Sequence, residues 1–183
     1  MNVIKTPIEG LLVIEPRVFN DDRGYFYESY NAKAFEANTG FKNTFVQDNQ
    51  ARSSKNVLRG LHYQNVPTAQ TKLIRAIEGV IWDVVVDLRK DSATFGQWYG
   101  VELSLENKRQ LLVPRGFAHG YSVLSDNAEV FYKCDEFYNK ASEGGVLYND
   151  PALNIDWKID LSQALVSDKD KVQPMLKDAV YNF

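Results

Sequence analysis

The sequence predicts an all-β fold, a sandwich, jelly roll or barrel of roughly ten short strands with few helices. Three observations carry this. Short runs rich in Val, Ile, Tyr, Phe and Trp recur along the 183 residues, separated by Gly, Asn and Asp turns. The run VIWDVVVDL alternates Trp82, Val84, Val86 and Leu88 with Asp83, Val85 and Asp87, the two-residue period of a strand. Hydrophobic residues make up 44% and aromatic residues 13% of the chain, a composition that builds a packed core and excludes disorder.

Taken in order, strands are expected at Leu11–Phe19, Gly24–Tyr30, Thr44–Arg52, Val57–His62, Thr71–Ile77, Val80–Leu88, Gln97–Leu105, Gln110–Val113, Gly120–Ser125 and Glu129–Tyr138. One helix is expected in NAKAFEANTG, with Asn31 as its N-cap and Gly40 closing it. Short peripheral helices are expected near LSQAL and in the C-terminal tail. A chain of this length reads as one domain, residues 1–183, whose core needs no metal or disulfide staple. Cys134 is the only cysteine, so an intramolecular disulfide is excluded, which fits a reducing, cytoplasmic setting. The N-terminus lacks the apolar core and cleavage site of a signal peptide, and the apolar run Leu11–Ile14 is too short to span a bilayer. A net charge of −3 gives no electrostatic reason to expect nucleic acid or an anionic membrane as partner. An anionic ligand must then be held by a local cluster of Arg and Lys.

There are two histidines, His62 in LRGLHYQ and His119 in PRGFAHGY. PRGFAH has the P-x-G-x-x-H form of the second signature of the cupins, a jelly-roll superfamily. LRGLHYQ and TKLIRAIEG align with the first signature, but with two departures. Gln64 stands where a metal-binding cupin has its second histidine, and Lys72 where it has its glutamate ligand. An ammonium cannot ligate a cation and a glutamine oxygen is a poor transition-metal ligand, so the sequence argues against a metal site.

The chain more closely resembles a metal-free cupin family, the dTDP-4-dehydrorhamnose 3,5-epimerases. The resemblance runs in order through DDRGYFYESY, FVQDNQARS, VLRGLHYQ, QTKLIRAIEGVIWDVVVDLR, LLVPRGFAHGY, FYKCDEFY, NDPALNIDW and VSDKDKVQP. It implies an enzyme that inverts C3 and C5 of a dTDP-4-keto-6-deoxyhexose without a cofactor, works as a homodimer, and takes N-terminal strands from the partner into each site. Such chemistry needs a base of near-neutral pKa, a cation or donor at the ketone oxygen, and an acid opposite the base.

The resemblance implies His62 as the base, a role that suits histidine's ordinary pKa, where a lone strand histidine would otherwise read as a hydrogen-bonded core residue. It implies Asp170 as the carboxylate orienting that ring, with Asp168 the rival; Lys72 as the cation at the enolate; and Tyr132 as the acid, with Tyr138 the alternative. Arg23 and Arg59 would hold the diphosphate, since a guanidinium donates two hydrogen bonds to phosphate oxygens. Phe26 would stack on the base and Glu28 accept from it, Gln47 and Asn49 would offer amide contacts, and His119 would sit near the sugar and diphosphate. Strand parity groups His62 with Leu58, Gly60 and Gln64 and sets Arg59 on the opposite face, yet both are expected at one site. A bulge or bend at Gly60 reconciles them. Rival readings are a single-carbon epimerase, a related cupin ketoisomerase, a non-catalytic nucleotide-sugar binder and, last, a metal-dependent dioxygenase.

Overall fold

The computed structural model describes residues 1–183. Its strands are β1 (Asn2–Lys5), β2 (Leu12–Glu15), β3 (Phe19–Asp21), β4 (Gly24–Phe26), β5 (Gln47–Ser54), β6 (Val57–Gln64), β7 (Lys72–Glu78), β8 (Val80–Asp87), β9 (Trp98–Ser104), β10 (Gln110–Val113), β11 (Phe117–Val123), β12 (Asn127–Cys134), β13 (Glu143–Gly145) and β14 (Leu165–Val166). One sheet runs β1-β2-β10-β7-β12-β5 and the other β13-β6-β11-β8-β9. β14 lies parallel to β6, and β3 and β4 form a separate hairpin. This is the all-β, cupin-like jelly roll that the sequence predicts. No helix is long and apolar enough to cross a membrane.

Three apolar layers hold the sheets. Val13, Ile74, Leu111 and Val130 from the first sheet meet Ile81, Val85, Leu103 and Val123 from the second, all buried, and close the interior. The alternation of VIWDVVVDL sends Val85 inward and Val84, Val86 and Leu88 outward, onto Leu58, Leu61, Val146 and the buried Trp157 of the C-terminal segment. The outer face of the first sheet is covered by helix α1 (Ala32–Thr39), whose Phe35 packs on Ile14, Leu73 and Leu112. That helix forms where the sequence places it. The Asn31 side chain accepts from the Ala34 N–H, and Gly40, at φ 75°, takes the left-handed turn that ends it.

Several strand limits differ from expectation. The expected Leu11–Phe19 strand breaks after Glu15, because Pro16 has no N–H to continue the ladder, and resumes as β3. Gly24–Tyr30 is a strand only to Phe26. The expected Glu129–Tyr138 strand starts at Asn127 and ends at Cys134, where Asp135 turns back to bond Thr71. β5 is shifted toward the C-terminus, to Gln47–Ser54, and β11 starts earlier, at Phe117. β1, β13 and β14, of four, three and two residues, are too short for a periodic signal. LSQAL holds a single 3-10 turn, Leu161–Gln163, and the tail holds helix α2 (Asp168–Lys171) and a 3-10 turn at Leu176–Asp178.

An irregularity between β6 and β11 sets the direction of two polar side chains. His119 pairs with His62, but Tyr121 pairs with Arg59, so β6 spends three residues where β11 spends two. That extra residue is a β-bulge, and it turns Arg59 and His62 to the same side. The parity expectation is corrected with it: Leu58 packs in the outer layer, with Leu61 and Val146. Gly60 has φ 126°, and a Cβ there would meet the Gly120 Cα at 2.5 Å and the His119 carbonyl oxygen at 2.9 Å. Gly24 has nearly the same φ, 125°, with nothing within 4 Å of its would-be Cβ. Replacing each by alanine therefore separates backbone strain from steric conflict. Gly24→Ala should cost about 1 kcal/mol and Gly60→Ala at least about 2 kcal/mol more, measured by urea unfolding. Equal losses would show that β6 and β11 part without penalty.

Candidate active site

The interior becomes polar where β6, β7, β8, β11 and β12 bring Arg59, His62, Lys72, Asp83, His119, Tyr121 and Tyr132 to its inner faces. A cavity of about 390 Å³ is bordered by Arg59, His62, Lys72, His119, Tyr121 and Tyr132, with Lys169 and Asp170 from α2. A second cavity of about 300 Å³ shares His62, Lys72 and Tyr132 and is completed by Gln47, Asn49, Gln64, Tyr138 and Glu143.

Asp170 reaches His62 across 108 residues of chain because β14 docks beside β6, pairing Leu165 with Val57 and Val166 with Leu58. This delivers α2 to the cavity wall, capped by the Ser167 hydroxyl, which accepts from the Asp170 N–H. The buried Asp170 carboxylate sits 2.6 Å from His62 Nε2 through one oxygen, and its other oxygen accepts from the Gly60 N–H at 3.2 Å. Burial alone would raise this carboxyl. His62, the Gly60 N–H and the Ser167 hydroxyl outweigh it and hold the group below the ordinary Asp range. A carboxylate only accepts, so Nε2 carries a proton, and in the neutral ring the lone pair lies on Nδ1. Asp168 is excluded from this contact: two residues earlier on a helix, it points away, is fully exposed and pairs with Lys171.

Lys72 lines both cavities and makes no hydrogen bond or ion pair with the protein. Burial pushes its ammonium below the ordinary lysine range, while Cys134, Asp83 and Glu143 pull it part of the way back. Burial likewise raises the Tyr132 phenol to about 12, so it is held protonated. His119 forms a second histidine–carboxylate pair, with Nε2 at 2.9 Å from each oxygen of the fully buried Asp83. Asp83 itself is raised by burial, against the pull of His119 and Lys72.

The second cavity holds an amide chain. Gln47 Nε2 donates to Asn49 Oδ1, Asn49 Nδ2 lies 3.7 Å from Cys134 Sγ, and Gln47 Oε1 accepts from the Tyr138 N–H. The Tyr138 phenol donates to Glu143, which also pairs with Lys169 at 2.5 Å. Gln64, in the place of a metal-ligand histidine, spends its amide on the carbonyls of Thr68 and Phe137 and the N–H of Asn139. No group of three or more His, Cys, Asp or Glu side chains is placed to hold a metal ion.

Three expected site residues lie elsewhere. Arg23 pairs only with Asp21 on the exposed β3–β4 hairpin, Phe26 beside it is 70% exposed, and Glu28 accepts from Asn31. None of the three lines either cavity. Conversely, Tyr121, Glu143 and Lys169 belong to the cavity walls, and Asp83 stands behind them on His119, although sequence reasoning does not single them out. Only Asp83 has a signal there, an acid with apolar neighbours on both sides in mid-strand, which burial obliges to find a partner.

Comparison with known proteins gives this geometry its relatives. Residues 5–178 match the family model described as dTDP-4-dehydrorhamnose 3,5-epimerase. The chain is 55% identical over 181 residues to the dTDP-4-dehydrorhamnose 3,5-epimerase of Shigella flexneri, covering 99% of each chain. It superposes with a TM-score of 0.94 and 57% identity on the crystal structure of the protein of that name from Elizabethkingia anophelis, covering 97% of each. A dTDP-6-deoxy-D-glucose-3,5-epimerase of Legionella pneumophila, solved in complex with dTDP-4-keto-L-rhamnose, has a TM-score of 0.93 at 49% identity, over 97% of this chain and 93% of that one.

The Asp170 contacts have a measurable consequence for stability. Because its folded-state pKa is depressed, the carboxylate stabilises the protein above the unfolded Asp value, and that stability is lost as pH falls through the folded value. Asp170→Asn should be about 2 kcal/mol less stable than the parent at pH 7, and the gap should shrink as pH drops below about 4, followed by urea unfolding. A gap that stays constant with pH would contradict the charged pairing.

Proposed function

The chain belongs to the dTDP-4-dehydrorhamnose 3,5-epimerase family, and from that membership we propose that it inverts C3 and C5 of dTDP-4-dehydro-6-deoxy-D-glucose to give dTDP-4-dehydro-L-rhamnose. The observation that carries the reading is that His62, Lys72 and Tyr132 border both cavities, so one sugar ring seated between them meets all three groups. The 4-keto group acidifies the hydrogens on C3 and C5, and no redox step is involved. His62 Nδ1 takes the proton from the ring carbon, and the C–H electrons move into an enolate across C4. The imidazole becomes an imidazolium, and Asp170 stabilises that charge through Nε2–H.

Lys72 faces the developing enolate oxygen. An ammonium with no protein partner is free to donate to it, and in a site shielded from water that interaction is worth several kcal/mol more than it would be in solvent. Tyr132, protonated because burial raises it to about 12, returns a proton to the opposite face of the carbon and is reprotonated from solvent. Arg59, which makes no ion pair and lines the first cavity, anchors the diphosphate; His119 contributes a polar contact near it. Gln47, Asn49 and Tyr138 line the second cavity with amide and phenol groups suited to the rest of the nucleotide.

Arg23, Phe26 and Glu28 fit this reading only in a homodimer. The hairpin that carries Arg23 and Phe26 exposes Phe19, Tyr25 and Phe26 together and contributes to neither cavity of its own chain. Seated on a second copy, it would add a guanidinium for the diphosphate and a ring for the base, and would cover an apolar surface.

In deuterated water with the dTDP-4-keto-6-deoxyglucose substrate, mass spectrometry and NMR should find deuterium at both C3 and C5 of the product. His62→Asn should reduce exchange at both carbons by at least about a hundredfold. Exchange at one carbon alone would make this a single-site epimerase, and no exchange would overturn the enzymatic reading.

A further inference from the structure

Tyr121 has no part in the proton transfers assigned to His62 and Tyr132. Its side chain is only 5% exposed and lines the first cavity, and its hydroxyl is buried with no hydrogen-bond partner. Leaving a buried hydroxyl unpaired costs free energy, and no protein group pairs with this donor. The surroundings say what would. The bulge at Gly60 sets Tyr121 opposite Arg59 across the β6–β11 pair. Arg59 donates its Nε–H to Ser53 Oγ at 3.1 Å, which fixes the edge of the guanidinium, while its terminal nitrogens have no partner in the protein. Ser53 is itself buried on β5. The phenol thus stands beside Ser53 and Arg59, with neither at full hydrogen-bond geometry.

We propose that Tyr121, Ser53 and Arg59 form an oxyanion subsite, in which the Tyr121 hydroxyl donates to a phosphoryl oxygen of a bound nucleoside diphosphate that the Arg59 guanidinium also holds. The chemistry selects that class of ligand. Arg59 can only donate, and the Tyr121 hydroxyl beside it can donate as well, so the group that satisfies both must be rich in acceptors, while Ser53 holds the guanidinium in place. Burial also raises the Tyr121 phenol, which keeps its proton available. A sugar hydroxyl would satisfy one of these donors and leave the guanidinium unpaired. The proposal rests on the epimerase reading for the identity of the ligand and adds a specificity-determining residue to it.

The discriminating variant is Tyr121→Phe, which removes one oxygen and no packing. In the empty protein it should melt at the same temperature as the parent or higher, since it deletes an unpaired buried hydroxyl. Titration calorimetry with dTDP should nevertheless show binding weakened about tenfold, with a matching rise in KM that exceeds any change in kcat. Thymidine, which lacks phosphate, should bind both proteins alike. Unchanged dTDP affinity in Tyr121→Phe, or an equal loss for dTDP and thymidine, would overturn the subsite. So would a lowered melting temperature accompanied by unchanged affinity, which is the mark of a purely structural hydroxyl. Failure of the parent protein itself to bind dTDP would instead overturn the reading on which the subsite rests.

Discussion

The site depends on one carboxylate shared between a side chain and a backbone. Asp170 accepts from His62 Nε2 with one oxygen and from the Gly60 N–H with the other. The bulge at Gly60 places Arg59 and His62 on one side of β6, and the same carboxylate that orients the imidazole also bonds the backbone at that bulge. The orientation of the His62 ring and the direction of Arg59 are therefore mechanically linked, although the carboxylate comes from the far end of the chain. Only glycine fits the link, since the Gly60 backbone is left-handed and its α-carbon lies against Gly120.

Polarity inside the sandwich has a cost that the rest of the fold offsets. Asp83, His119 and Asp170 are buried, and Lys72 sits among them without a partner. The two histidine–carboxylate pairs cover part of that cost by mutual hydrogen bonding. The Lys72 ammonium and the Tyr121 hydroxyl have no such relief from the protein itself. The three apolar layers around the sheets supply the stability that lets these groups stay unpaired.

Legibility in the sequence follows the range of the interaction. The VIWDVVVDL strand and the helix between Asn31 and Gly40 are readable because alternation and capping act over a few residues. Pro16 marks a strand break that periodicity alone overruns. The bend at Gly60 is readable as a requirement, from the conflict between parity and the joint use of Arg59 and His62. Whether Asp168 or Asp170 meets His62 is not, because β14 sets it by docking across more than a hundred residues. Asp83 can be anticipated as a buried acid in need of a partner, whereas nothing in KASEGG marks Glu143 as part of a wall. Arg23, Phe26 and Glu28 are found by resemblance alone, and a single chain leaves them outside the cavities.

The geometry makes the protonation state of one ring the central quantity. Nitrogen-15 NMR of histidine-labelled protein reads it directly, with His62→Asn assigning the signals and a pH titration isolating the neutral form. Neutral His62 should be the Nε2–H tautomer, with a bare Nδ1 whose signal responds to bound dTDP-sugar, and Asp170→Ala should abolish that preference. A neutral ring protonated on Nδ1, or a tautomer ratio indifferent to the loss of Asp170, would contradict the assignment of His62 as a base oriented by this carboxylate.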